Sequence, residues 1–195
     1  MAVLLFSIML SGQVCAGPGE EAQLLNGLRE RGLFEIAEYH CRNQLAREDL
    51  IPRERMQWTV EMIRTLAQEA LNLPADQRAV VWDRAVDRAA LYVTVHAAQA
   101  KSLTIPVATQ AALVLTQQGE FLRLEAVVAR NPVAEMQGAR DKLRLAAKAL
   151  NELLQEVDVQ LTMAKSTTTD EALSQQELIS IKQRLFFHLG SVYRN

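Results

Sequence analysis

The sequence predicts an all-α protein built as an array of antiparallel helical hairpins. Three observations carry that expectation. Apolar residues recur with helical period along the whole chain and no strand-like alternation interrupts them. Ala, Leu, Val, Gln, Glu and Arg dominate the composition, and several of these, though not Val, lose little rotamer freedom in a helix. Gly and Pro are few and fall between the periodic segments, where they punctuate helices. With 195 residues, 49% of them hydrophobic, the chain is long enough to bury a core.

The first segment stands apart. Val3–Leu10 is an apolar run broken by Ser7 alone, followed by Val14-Cys15-Ala16-Gly17. Small residues before Gly17 fit cleavage after Ala16, which makes residues 1–16 a signal peptide and the protein exported, periplasmic or extracellular. The run is much shorter than the roughly 20 residues that span a bilayer. No Lys or Arg precedes it, however, so an uncleaved N-terminal anchor stays open as the alternative. Cleavage would remove Cys15 and leave Cys41 without an intrachain disulfide partner.

From Glu20 the spacing predicts about eight helices. Leu24, Leu25 and Leu28 form one face of the first, and Gly32 ends it. Ala37, Cys41 and Leu45 mark the second, over about 34–47. The third, about 53–72, carries Met56, Val60, Ile63, Ala67 and Leu71 on one stripe. Asp76 is placed to cap a fourth that reaches about Gln99, with Val81, Trp82, Ala85, Ala89 and Tyr92 inward. Ser102–Pro106 reads as a break. The fifth helix is expected to stop at Gly119 and the sixth to run from Phe121 to Arg130. Asn131-Pro132 opens a long seventh helix, about 133–165. Along it Met136, Leu143, Leu150 and Val157 recur every seven residues, with Ala139, Ala146 and Leu153 beside them, as in a coiled-coil seam. Such a seam serves either neighbouring helices of the same chain or a second copy. Ser166–Thr169 is a polar linker, and Ser174 with Glu177 forms a capping-box pattern before the last helix. That helix has no terminator, which suggests a natural chain continuing beyond Asn195. Residues 20–130 group as hairpins, and 133–195 continue the same array.

Arg31-Gly32-Leu33-Phe34 recurs as Gln118-Gly119-Glu120-Phe121, each time after a Leu-rich helix. Leu24, Leu25, Leu28, Gly32, Phe34, Ala37 and Leu45 resemble the tetratricopeptide repeat (TPR) family, in positions of its first-helix leucines, its glycine and aromatic, and its second-helix small and apolar residues. The match covers about residues 20–49 and, half as well, 108–132. The second copy departs from the pattern with Leu124 where Ala is expected, and helices three and four are longer than a repeat of about 34 residues allows. The resemblance implies a TPR-like α-solenoid. The layout is also similar to predicted exported helical-repeat proteins of planctomycete bacteria.

Chemistry is sparse. His40, His96 and His188 are scattered, and no metal-ligand spacing, nucleophile elbow or phosphate loop is present. No catalytic, cofactor-binding or metal residue is assigned, no cofactor is expected, and the chain reads as a non-enzyme. Net charge is −2 with basic and acidic residues interleaved, which argues against a nucleic-acid partner. A membrane partner is expected only if the N-terminal segment stays uncleaved. In the TPR family the concave face binds peptides, so the resemblance implies a protein or peptide partner. Asn26, Arg29 and Arg64 are the candidate partner-binding residues, suited to a partner's carboxylates. The expected function is therefore an exported protein–protein interaction scaffold. The alternative is a membrane-tethered, homo-oligomeric assembly subunit joined through the 133–165 seam.

Overall fold

A computed structural model describes residues 18–98, 100–129, 132–164 and 171–194. The proposed signal segment 1–16 and the Ser166–Thr169 linker lie outside these residues. Seven helices and no strand are found among the described residues: α1 (Pro18–Glu30), α2 (Phe34–Leu45), α3 (Pro52–Leu71), α4 (Ala75–His96), α5 (Lys101–Val128), α6 (Pro132–Met163) and α7 (Gln175–Arg194). The protein is all-α.

The first hairpin turns at Gly32, whose φ of 71° is the left-handed conformation that costs a glycine nothing. The Leu33 amide donates to Leu28 O at 2.9 Å and the Gly32 amide to Arg29 O at 3.0 Å, so the last carbonyls of α1 are satisfied in a Schellman motif. At the far end Ser174 and Glu177 form a capping box. The Ser174 amide donates to Glu177 Oε2 at 2.9 Å, and the Glu177 amide donates to Ser174 Oγ at 3.3 Å.

Two expectations need correction. The fifth and sixth helices are one helix, α5, and Gly119 lies inside it. A Cβ on Gly119 would stand 2.7 Å from Leu143 Cγ of α6, so this glycine serves close helix approach, not helix termination. The count of eight becomes seven, and the Gly32 and Gly119 segments are not structural equivalents. Ser102–Pro106 is also helical; the chain breaks just before it, and Pro106 sits in the second turn of α5. At α4 the helix begins at Ala75, so Asp76 lies within the first turn and does not cap it.

Every helix packs on its neighbour in sequence. In addition α1 packs on α3, α3 on α5 and α5 on α7, whereas among the described residues the even-numbered helices do not pack on one another, α2 and α4 being linked by the Arg84–Glu38 ion pair. The odd-numbered helices thus form one continuous layer, and α2, α4 and α6 lie on it. The heptad seam of α6 is spent inside the chain: Leu143, Leu150 and Val157 belong to the common core, and α6 packs on α5 and α7. Leu25, Ile63, Leu103, Val114 and Leu178 bring the odd helices into that same core.

Arg78 ties the central turn. It is 8% exposed and stacks over Phe121 at 4.0 Å. Its guanidinium donates to Ala70 O at 3.2 Å, to Leu73 O at 2.8 Å and to Glu125 Oε1 at 2.6 Å. One side chain therefore satisfies the end of α3, holds the start of α4 and grips α5. Trp82, packed edge-on against Phe121 at 6.1 Å, completes this cluster.

Candidate functional site

The three residues singled out from the sequence lie in one polar thread across the odd-helix layer. Arg29 of α1 donates from Nη1 to Glu61 Oε2 of α3 at 2.8 Å and from Nη2 to Asn26 Oδ1 at 2.5 Å. Arg64 donates from Nη1 to the other oxygen of Glu61, Oε1, at 2.6 Å. Its Nε then donates to Gln110 Oε1 of α5 at 3.3 Å. Glu61 is the node: a single carboxylate shared by two guanidiniums. The heptad-like spacing of Glu61 and Arg64 on α3 puts both on the side facing α1 and α5, because residues three apart share a helix face.

Burial separates the three candidates. Arg29 is 6% exposed and also lies within 3.3 Å of the Thr65 hydroxyl, so its charge is spent on joining α1 to α3. Asn26 orients Arg29. Arg64 is only partly covered and borders a cleft of about 50 Å³ between α3, α5 and α7. Asn26 is exposed and held by Arg29, and Arg64 is the one of the three that borders this cleft.

The cleft brings in residues that the sequence reading did not single out. Gln110 and Thr109 line it from α5, and Ile181 and Arg184 from α7. Arg184 carried no signal in the sequence: it reads as one more charge on the polar side of an amphipathic helix. Thr109 falls in the buried stretch of α5 and reads as core. A second cleft of about 260 Å³ lies over α3 between α2 and α4, floored by Met62 and Leu66 and walled by Glu38, Arg84 and Arg88. Its Glu38 is already paired with Arg84 at 2.7 Å and with Arg42 at 3.1 Å.

Cys41 is buried, and its thiol is pushed up to about 12, chiefly by burial and then by the Glu61 carboxylate. It has almost no thiolate near neutrality and is no nucleophile. His40 lies 2.6 Å from Glu21 and meets Trp58 edge-on, tying α2 to α1 and α3. His96 stacks on Tyr92 and His188 meets Phe187 edge-on, and burial lowers the pKa of both histidines. The histidines stay apart, and no group of three His, Cys, Asp or Glu side chains converges to hold a metal among the described residues. No described helix is long and apolar enough to cross a membrane. No protein-family model, curated protein or solved structure matches the chain.

Proposed function

We propose that this chain is a non-enzymatic interaction scaffold of the TPR-like, α-solenoid type, exported from the cell interior, that holds an extended segment of a partner protein on its odd-helix layer. The observation that supports this reading is the packing order. Stacked hairpins that share one continuous layer leave a long face on which a peptide can lie across several helices. The Asn26–Arg29–Glu61–Arg64–Gln110 thread runs over that face and fixes its polar groups in advance, which lowers the ordering cost of binding. Export rests on the Val3–Leu10 run and the Ala16 site.

Selection of random linear peptides on the purified protein tests the scaffold reading. Enriched peptides should compete with one another for one face and lose binding to an Arg64→Glu variant. Failure to enrich any linear peptide, or enrichment indifferent to Arg64, would count against it. The intact mass of the protein from its native cells tests export. A species lighter by about 1.5–2 kDa indicates cleavage near Ala16, and an uncleaved mass contradicts it.

A further inference from the structure

We infer that the cleft between α3, α5 and α7 is a carboxylate subsite, and that its occupant is a glutamate side chain of the partner segment. The inference rests on the scaffold reading above and names what one point of that face recognises. Arg64 enters from α3 and Arg184 from α7, and no carboxylate is among the lining residues. Arg184 is exposed and makes no ion pair among the described residues. Arg64 has only a share of Glu61, whose other oxygen is taken by Arg29. Two guanidiniums thus share one carboxylate, Arg184 adds a third at the cleft with no ion pair among the described residues, and the cleft is left with uncompensated positive charge.

The neutral polar groups match. Gln110 accepts from Arg64 Nε through its carbonyl oxygen, which fixes the amide and leaves its NH2 to donate. Thr109 is 5% exposed and its hydroxyl has no partner. Threonines elsewhere in the same layer behave differently. The hydroxyls of Thr59, Thr65, Thr104 and Thr116 all donate to a carbonyl of the preceding turn. A buried hydroxyl left unmatched is costly unless something else satisfies it. Two guanidiniums, an amide NH2 and a hydroxyl are a donor set, and the ligand that answers a donor set is an anion.

Size and wall chemistry choose the anion. At about 50 Å³ the cleft takes a small polar group such as a carboxylate. Val60 and Ile181 supply an apolar wall for the methylenes of a glutamate, which a bare inorganic anion would leave unused.

Methyl-region NMR with the full protein and four probes tests this. The probes are Ac-Ala-Leu-Glu-Leu-Ala-NH2, its Gln counterpart, Ac-Ala-Leu-Ala-Leu-Ala with a free C-terminal carboxylate, and inorganic phosphate. The Glu peptide should shift the Thr109, Val60 and Ile181 methyls saturably with a Kd on the order of 1 mM. The Gln peptide should bind about tenfold more weakly. Arg184→Gln and Thr109→Val should each weaken the Glu peptide several-fold. Neither should lower the melting temperature, because each removes a group with no intramolecular hydrogen bond. Absence of a saturable shift with the Glu peptide overturns the inference, as does equal binding of the Gln peptide, or a response to phosphate or the free C-terminus that equals or exceeds that to the Glu peptide. If Glu and Gln peptides bind the odd-helix layer alike and ignore Arg184→Gln, the subsite is wrong while the scaffold reading stands.

Discussion

Gly119 of α5 and Leu143 of α6 touch so closely that a Cβ on the glycine would stand 2.7 Å from Leu143 Cγ and 3.1 Å from its backbone nitrogen. Relief cannot come from the tip of the leucine alone, because its backbone is part of the contact. Gly119→Ala should therefore destabilise by up to about 2 kcal/mol: overpacking costs roughly 1–3 kcal/mol and the gain in helix propensity returns about 1. Gly138, also helical, has nothing within 4 Å of its Cβ position. Gly138→Ala should stabilise by about 0.5–1 kcal/mol. Urea denaturation of the two variants checks both signs at once.

Arg78 carries the joint between α3, α4 and α5. Arg78→Met keeps much of the stacking on Phe121 but abandons the carbonyls of Ala70 and Leu73. A loss of about 1–3 kcal/mol is expected, mostly from the Leu73 carbonyl, because Ala70 O also accepts from the Leu73 amide. Glu125 is partly exposed and can be rehydrated, so Glu125→Gln should cost under about 1 kcal/mol. A melting-temperature comparison of the two variants separates these contributions.

Burial should make Cys41 inert until the protein opens. With its thiol pushed up to about 12, the thiolate fraction near neutral pH is more than about a thousandfold below that of an exposed cysteine. In a Cys15→Ser variant, labelling by a maleimide should be slow in buffer and fast in denaturant. Rapid labelling of the native protein would show that the α2–α3 contact opens easily.

Among the described residues Glu69 is the one carboxyl raised above its ordinary range, first by burial and then by Glu38, with Glu35 adding to it. Its Oε2 has no partner. A folded-state pKa raised above the unfolded value means that the folded state holds this proton more tightly. Its contribution is favourable below the ordinary carboxyl range and is lost as pH rises through the raised value. Glu69→Gln should therefore raise the melting temperature near pH 7, and the gain should vanish below about pH 4. A gain that persists in acid would assign the effect to packing instead of charge.

The all-helical character and most helix positions were legible from periodicity, because each helix has a buried stripe that repeats in its own sequence. Ala37 and Cys41, or Leu178, Leu185 and Val192, are visible without knowing what they pack on. Gly119 was misread because a glycine that ends a helix and a glycine that admits a neighbouring helix look alike in sequence; its partner Leu143 is on the next helix. The same limit governs the site. Arg64 was legible as a charged residue on a helix face, but its sharing of Glu61 with Arg29 depends on how α1 seats on α3. Thr109 and Arg184 gained meaning only when α5 and α7 were brought together beside Arg64.

The most direct measurement is the NMR footprint of a selected peptide on the isotope-labelled protein. A scaffold that works through its odd-helix layer predicts a continuous band of shifted signals across α3, α5 and α7, centred on Arg64 and Gln110. It predicts little change on the outer faces of α2, α4 and α6. A footprint confined to those even-numbered helices, for instance in the Glu38–Arg84 cleft, would contradict it.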